Sequence, residues 1–395
     1  MAGTVGVLRR DVDKWELSAA ALFVATMTVL SVLVLAKVPF PFRGADEQGH
    51  LSYVIHLANT DRWWPDLAAM PLYDRNGAPL AGANFINHPP LFYWLSLPVY
   101  EAATALRADL SWMRAFSLAL SVGAFMTLGG FGVRMQFGIL GFVALLAGMV
   151  FLDVPTFAGS FNNDQMAALG GAAACLGAAK RISPGNDRSG LPLVLAGVVL
   201  CSVKLTAFLL VGAFAAFALA GAPKPRADLR GLAALGLTGA VAATPYLVLW
   251  AVYGSPAPNT PGQELMLKAY IAEFGWQNVP KVDALEYLTN VPSLFAVQLG
   301  KSALPLLVLA AMFGALFVGF MPSARKDRPV AAALVRAAFA ATLVVLCIHI
   351  AFAYRRYVAY GWLGDLYPRY YFPLLGAYGL GWALCVRRAV AVVEL

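Results

Sequence analysis

The chain has 395 residues, of which 60% are hydrophobic and only 13% are charged. A soluble domain is close to half apolar and a quarter charged, so this composition excludes an ordinary soluble protein and indicates an integral membrane protein. The net charge of +8 does not indicate a nucleic-acid partner, because the basic residues stand in short loops between apolar segments, which is how membrane topology is encoded.

Apolar runs recur along the whole sequence, and about 20 apolar residues in a helix cross the hydrocarbon core of a bilayer. The runs are continuous rather than alternating, which favours helices over the strands of a β-barrel. We therefore expect an all-α integral membrane protein, in which residues 1–395 form a single polytopic domain of about ten transmembrane helices. The first run is too long for a cleavable signal peptide and should stay as an anchor. The expected spans are 16–38, 112–133, 139–157, 165–179, 191–203, 205–220, 232–252, 302–321, 330–353 and a last span that ends at Arg387 and Arg388.

Three long polar segments interrupt these spans, at 39–111, 253–300 and 354–369. Their tryptophans and prolines predict interfacial helices in the outer loops. Ten spans put both termini on one face together with the short basic loops, such as 180–189 and 325–328. The three long segments follow spans one, seven and nine, so all three lie on the other face. The positive-inside rule makes the face with the termini cytoplasmic. We therefore expect a multi-pass protein of the bacterial inner (plasma) membrane, with its long segments facing outward.

The first outer segment begins with the stretch RGADEQGHLS, in which Asp46 and Glu47 stand side by side where the membrane ends. A solvated turn after a membrane helix is the simplest interpretation of such an acidic pair. A carboxylate at this boundary is also a candidate proton acceptor. His50 and His56 follow on the same predicted helix; they are either helix-surface residues or metal ligands. The four cysteines match no metal or disulfide spacing and are expected to be packing residues.

Five further candidate residues fall on the same outer face. His88 precedes two prolines that fix a rigid turn, and Asn163 with Asp164 either caps the fourth span or contributes to a site. Lys204 lies between two spans with almost no loop, a costly position for a charge unless it faces a cavity or an anion. Arg369 belongs with Arg355 and Arg356 to a basic set around Asp365. Each of these arginines could snorkel to the interface, but together with Lys204 and His88 they would provide a positive field suited to a lipid phosphate.

The stretches that carry these residues occur in a definite order: ADEQGH, NHPPLFYWL, SFNNDQ, VKLTAF and LYPRYYFP. The chain resembles the GT-C superfamily of polytopic glycosyltransferases, especially the bacterial protein-mannosyltransferase and aminoarabinose-transferase type. The resemblance lies in the order of these five stretches and in their expected position on the outer face. The resemblance implies a GT-C-like bundle, with Asp46 as the catalytic base and His88 near the donor phosphate. The chain departs from the family in having only about ten expected spans and no expected soluble C-terminal domain for acceptor recognition.

An inverting sugar transfer from a polyprenyl-phosphate donor needs one base and a set of cations around the departing phosphate. We therefore expect Asp46 to be the base, with His88, Lys204 and Arg369 around the phosphate. Asn163 and Asp164 are further candidate substrate-binding residues, and Glu47 binds either the acceptor or a divalent metal. The acceptor, whether lipid, glycan or protein, is not determined by the sequence.

The alternative is a transporter or lipid flippase without glycosyl transfer. That function would place ionisable residues deep within several spans and would favour internal repeats. The spans here are nearly free of charge and carry no convincing repeat, so the sequence favours the glycosyltransferase.

Overall fold

A computed structural model describes residues 14–60, 62–184, 188–221, 228–276, 281–298, 303–363 and 366–393. Within these ranges the protein is mostly helical, with almost no sheet. As far as residue 182 the helices are α1 (Lys14–Lys37), α2 (Glu47–Ala58), α3 (Leu91–Ala105), α4 (Met113–Arg134), α5 (Gly138–Phe151), α6 (Val154–Gly159) and α7 (Asp164–Ile182). The later helices are α8 (Gly190–Cys201), α9 (Leu205–Ala220), α10 (Leu229–Tyr253), α11 (Pro261–Glu273), α12 (Ala284–Gln298), α13 (Ala303–Ala315), α14 (Pro322–Asp327), α15 (Pro329–Tyr360) and α16 (Leu375–Val393). Short 3-10 helices cover Arg43–Ala45, Leu110–Trp112, Leu316–Phe320 and Pro368–Leu374.

Four helical segments of the described chain are long and apolar enough to cross a bilayer: Lys14–Lys37, Leu110–Arg134, Leu229–Tyr253 and Pro329–Tyr360. Their outer faces carry large apolar side chains that a soluble protein would bury. On α10, for example, Leu237 is 71% exposed and Val241 is 66% exposed. Helices that are apolar on their exposed faces indicate a lipid environment. The protein is therefore an all-α membrane protein.

Helices occur at each of the apolar segments expected from the sequence, although several are shorter than a full span. The largest difference concerns α15, which we expected to end at 353 but which continues to Tyr360. The sequence YRRYVAY contains no helix breaker, and the helix stops only where Gly361 adopts a left-handed conformation, with φ of 76°. Part of the third outer segment is therefore the end of a long helix.

The first outer segment also differs from the expectation of interfacial helices alone. Besides α2 and α3 it contains an antiparallel hairpin of β1 (Pro71–Tyr73) and β2 (Pro79–Ala83). The Asp74 carboxylate closes its turn by accepting hydrogen bonds from the amides of Asn76 and Ala78, both at 2.8 Å. The strands are too short for their apolar–polar alternation to predict a hairpin. The local signal for the hairpin is this Asx-type turn at Asp74.

Helix α7 lies at the centre of the bundle, where most of its side chains are buried. Its glycines allow close approach to α8: a Cβ on Gly170 would contact the backbone of Gly197, and one on Gly177 would contact that of Gly190. Small residues at such an interface let two membrane helices pack with their backbones close together. The close packing of α7 against α8 fixes the position of the helix, and with it the position of Asp164, its first residue.

The basic loops gather at one end of the bundle. Arg328 donates to the backbone of Met135 and to Gln136 in the turn between α4 and α5, and Arg387 near the end of α16 reaches the same turn. The end of α7 and the start of α10 meet through Arg181 and Asp228, whose Nη2 and Oδ1 are 3.0 Å apart. The N-termini of α7 and α9 and the C-terminal end of α15 lie at the other end.

Candidate functional site

A cavity of about 730 Å³ opens at the end of the bundle where α7 and α9 begin. Its wall combines the loop before α2, the segment 85–88, the first residues of α7 and α9, helix α11, the last turns of α15 and the segment 367–370. Segments distant in the sequence thus form the wall of one cavity. Of the residues expected to form a site, Asp46, His88, Asp164, Lys204 and Arg369 all line it.

Asp46 stands immediately before α2 in a left-handed conformation, with φ of 58°. Aspartate tolerates this conformation better than most residues, and the turn directs its carboxylate across the cavity. Arg369 donates from Nη2 to Asp46 Oδ2 at 2.8 Å. The Asp46 side chain keeps 30% of its surface exposed, whereas the Arg369 side chain is only 10% exposed. The carboxylate is therefore both held in place and open to the cavity.

A second, more deeply buried ion pair joins Asp164 to Lys204. Both side chains are only 8% exposed, and Arg369 Nε lies 3.8 Å from Asp164 Oδ2. Asp46, Arg369, Asp164 and Lys204 thus alternate in sign along a chain of contacts that we call the charge cluster. The Lys204 ammonium also lies 4.5 Å from the ring centroid of Tyr370. Charges this deeply buried are costly unless they are paired, and the pairing explains how the starts of α7 and α9 tolerate them.

His88 and His50 lie beside the charge cluster with their rings stacked, the centroids 6.0 Å apart. The Nδ1 atom of His50 shares a hydrogen bond of 2.8 Å with the hydroxyl of Tyr93. The pKa of His88 is lowered to about 3, first by burial and then by the positive charge of Lys204. Burial also lowers the pKa of His50 well below its ordinary value, with His88 and Lys204 acting in the same direction. Both imidazoles are therefore neutral at physiological pH, and each can donate or accept a hydrogen bond.

Glu47 does not face the cavity, which corrects its interpretation as an acceptor- or metal-binding residue. Its side chain has no exposed surface, and Arg114 donates to both carboxylate oxygens, at 2.8 and 2.7 Å. The backbone amides of Phe42 and Phe161 donate to the same carboxylate at 2.6 Å each. Arg114 in turn donates to backbone carbonyls at the end of α1, including that of Val38 at 3.0 Å. Glu47 and Arg114 therefore form a buried clamp that fixes the chain on either side of Asp46.

Asn163 is a second correction, because it is buried and lies outside the cavity wall. Its side-chain amide donates to the carbonyl of Val203 at 3.0 Å. The bond joins the residue before Asp164 to the residue before Lys204, so Asn163 aligns the two partners of the buried pair. It does not cap α7 through its side chain; the side-chain Oδ1 of Asn162 accepts a hydrogen bond from the Asp164 backbone amide instead, at 2.8 Å.

Arg369 Nε and Thr206 Oγ1 are buried donors in the cavity wall that have no hydrogen-bond partner among the described residues. Buried polar groups are nearly always paired, so these two indicate a place for a ligand oxygen. Thr206 was not identified from the sequence, although it follows Lys204 by two positions in VKLTAF. Of the other arginines in the basic set, Arg356 lines the cavity and Arg355 is exposed. Asp365 lies outside the described residues.

The rest of the cavity wall consists of an apolar part and an aromatic part. Helices α9 and α15 contribute an apolar wall, consisting of Leu205, Leu209, Val345, Ile348 and Phe352. Helix α11 and the loops contribute an aromatic wall, consisting of Tyr270, Phe274, Trp276 and Trp362. The charge cluster thus shares one cavity with a surface suited to an aliphatic chain and with a surface of aromatic rings.

No group of three or more His, Cys, Asp or Glu side chains in the described part of the chain is arranged to bind a metal ion. Comparisons with protein-family models, with curated proteins and with solved structures give no match.

Proposed function

We propose that this chain is an inverting glycosyltransferase of the GT-C type, which moves a sugar from a polyprenyl-phosphate donor to an acceptor hydroxyl. The observation that carries the proposal is the charge cluster in a cavity that also has an apolar wall. A lipid phosphate needs both features, one for its head group and one for its isoprenyl chain.

Lys204 and Arg369 are the cations that hold the phosphate. Each is paired with a carboxylate, yet each keeps further donors, since an ammonium has three and a guanidinium five. Arg369 Nε and Thr206 Oγ1 are the donors without a hydrogen-bond partner that phosphate oxygens would satisfy. The first turn of α9 adds backbone amides with a partial positive charge at the same place. Neutral His88 donates one more hydrogen bond to the phosphate.

Asp46 is the base, because it is the more exposed of the two cavity carboxylates, 30% against 8% for Asp164. It accepts the proton of the acceptor hydroxyl while that oxygen bonds to the anomeric carbon of the donor. The bond from this carbon to the phosphate oxygen breaks on the opposite face, which inverts the configuration. The departing lipid phosphate carries the electron pair and is stabilised by Lys204 and Arg369. Phosphate is a good leaving group, so no second carboxylic acid is required, in contrast to glycoside hydrolysis.

The topology completes the proposal. We infer about ten spans in a bacterial inner membrane, with both termini cytoplasmic and the cavity facing outward. The gathering of Arg181, Arg328 and Arg387 at the end of the bundle opposite the cavity supports this orientation. An outward site also suits a lipid-linked donor, since nucleotide sugars remain in the cytoplasm.

The test is sugar transfer by the purified full-length protein in detergent. Undecaprenyl phosphate carrying a radiolabelled sugar should be consumed in the presence of bacterial envelope acceptors, with no membrane gradient. Asp46→Asn should abolish the transfer, and Asp327→Asn, an exposed carboxylate at the other end of the bundle, should leave it unchanged. If the protein instead moves the labelled lipid across vesicle bilayers and never cleaves it, it is a flippase and the proposal fails.

A further inference from the structure

The aromatic wall is built from two separate parts of the chain, the end of α11 with the residues that follow it and the segment after α15. Tyr270 lies on α11, Phe274 and Trp276 follow its end, and Trp362 lies just after α15. The rings contact one another in sequence: Tyr270 and Phe274 stack with centroids 5.9 Å apart, and Phe274 and Trp276 at 5.1 Å. Trp362 meets Trp276 edge-to-face, also at 5.1 Å. Four rings thus form one continuous surface along a cavity that also contains Asp46.

The aromatic wall does not belong to the membrane-spanning helices. Helix α11 exposes Lys268 and Glu273, and Phe274 beside them is 56% exposed. Charged residues next to the rings place this wall on the aqueous side, whereas the apolar wall lies on α9 and α15. An isoprenyl chain would therefore occupy the apolar wall, which leaves the aromatic wall for the second substrate.

Carboxamide side chains line the cavity together with the rings. Asn87 donates to the carbonyl of Pro258 at 2.8 Å, and Asn259 donates to the hydroxyl of Tyr360 at 3.1 Å. Each of these bonds uses one amide hydrogen and fixes the side chain. The carbonyl oxygens of Asn87 and Asn259 accept no hydrogen bond from the described residues, so both can accept from a ligand hydroxyl.

We infer that the acceptor is a saccharide, bound with the face of a sugar ring against the aromatic wall. The inference rests on the proposed function and deepens it, because it names the class of the second substrate. One face of a sugar ring carries C–H groups and packs on an aromatic ring, while the hydroxyls at its edge require donors and acceptors such as carboxamides. A peptide acceptor would be recognised largely through its backbone, often at a strand edge. The cavity wall of the described chain includes no residue of β1 or β2.

In the reaction, a hydroxyl oxygen of this saccharide forms the new glycosidic bond to the anomeric carbon of the donor. Its proton passes to Asp46, and the bond between the anomeric carbon and the lipid phosphate breaks. The product is a glycan longer by one sugar together with free polyprenyl phosphate.

The experiment measures binding of defined probes to the full-length protein in detergent. Saturation-transfer NMR would use methyl glycosides of short mannose, glucose and arabinose oligomers, with a serine- and threonine-containing peptide for comparison. We expect transfer of saturation to the ring C–H protons of at least one sugar and none to the peptide. Trp276→Ala and Phe274→Ala should each weaken sugar binding about tenfold, and Trp276→Phe should restore most of it. Trp63→Ala, which removes a ring that is 79% exposed and outside the cavity, should have no effect.

Native mass spectrometry with undecaprenyl phosphate alone separates this inference from the proposed function. Trp276→Ala and Phe274→Ala should both bind undecaprenyl phosphate with the affinity of the wild type. If the lipid binds but no sugar in the panel does, or if the peptide binds in its place, the saccharide inference is overturned and the proposed function stands. If Trp276→Ala loses the lipid and not the sugar, the aromatic wall is part of the donor site. Failure of the wild type to bind undecaprenyl phosphate would contradict the proposed function itself.

Discussion

Arg369 donates a hydrogen bond of 2.8 Å to Asp46, a residue 323 positions earlier in the chain. The bond connects the loop after the first helix to the loop before the last one. The same guanidinium lies 3.8 Å from Asp164, at the start of the central helix. The site therefore depends on the packing of the whole bundle, and a change at a distance that shifts either loop will separate the candidate base from the cations.

Replacing Asp46 by asparagine should remove the base and leave the ion-binding groups in place. The asparagine carbonyl can still accept from Arg369, but it cannot take a proton at neutral pH. We expect the rate of sugar transfer to fall by about 10²- to 10⁴-fold, with binding of undecaprenyl phosphate within a few-fold of wild type. Initial rates and native mass spectrometry measure the two quantities. Substantial residual transfer by a correctly folded variant would show that another group is the base.

The pair Asp164–Lys204 should be sensitive to the loss of either partner. In Lys204→Met the buried Asp164 carboxylate loses its principal partner, which should cost about 3–5 kcal/mol of stability. The double variant Lys204→Met/Asp164→Leu removes both charges and should recover most of the loss, because a buried pair is worth little more than apolar residues of similar size. The midpoint of thermal unfolding in detergent would show this. Transfer should be absent from both variants, since neither provides the Lys204 cation for the phosphate. A double variant as unstable as the single one would mean that the pair itself stabilises the bundle.

Loss of the clamp between Glu47 and Arg114 should lower both the stability of the protein and the rate of sugar transfer. Glu47→Gln loses the charge that Arg114 and two backbone amides share, at a cost of about 3–5 kcal/mol for a buried pair. The chain around Asp46 then loosens, so the transfer rate should fall more than the affinity for undecaprenyl phosphate. Glu101→Gln, at an exposed position on α3, should change neither quantity. Equal losses in rate and lipid affinity would place Glu47 in the binding of the donor and contradict the structural role.

Five of the seven candidate side chains expected from the sequence line the cavity, but the sequence could not predict how they pair. Asp46, His88, Asp164, Lys204 and Arg369 all fall at the same end of their apolar segments, so counting the segments brings them together. Which cation pairs with which carboxylate depends on local backbone conformation, such as the left-handed turn at Asp46. A hydropathy pattern does not predict such a conformation.

Glu47 illustrates the same limit, because two adjacent carboxylates look equivalent in a sequence. The structure turns one toward the cavity and the other toward Arg114, a residue that resembles an ordinary cation at a membrane boundary. The aromatic wall was missed for a related reason. Trp276 and Trp362 are 86 positions apart in the numbering, and each alone is typical of the interfacial aromatic belt.

Gly171 should be essential to the position of Arg369. A Cβ at this position of α7 would overlap the carbonyl group of Pro373, in the 3-10 helix Pro368–Leu374 that carries Arg369. Because the obstacle is backbone, Gly171→Ala must displace that segment, and we expect both a lower midpoint of unfolding and a large loss of transfer. Gly236→Ala on α10 meets nothing within 4 Å and should be neutral or stabilising by up to about 1 kcal/mol. Normal activity in Gly171→Ala would show that the contact between α7 and this segment is not needed for the site.

His88 should make the stability of the protein depend on pH in the acidic range. Its pKa is lowered from 6.5 to about 3 in the folded protein, first by burial. Between these two values the unfolded chain binds a proton that the folded chain does not. The stability due to neutral His88 is therefore complete above about pH 6.5 and is lost progressively as the pH falls toward 3, by up to about 1.4 kcal/mol per pH unit.

Thermal unfolding in detergent at about pH 7 and about pH 5 tests this, because the interval lies within the window in which His88 differs between the two states. In His88→Asn the midpoint should fall less over the interval than it does in the wild type. His56→Asn should remove a smaller part of the pH dependence, since His56 is only partly buried and desolvation is what lowers its pKa. An identical slope in wild type and His88→Asn would mean that His88 is hydrated in the folded protein, and the cavity around it would then be more open to water than its burial indicates.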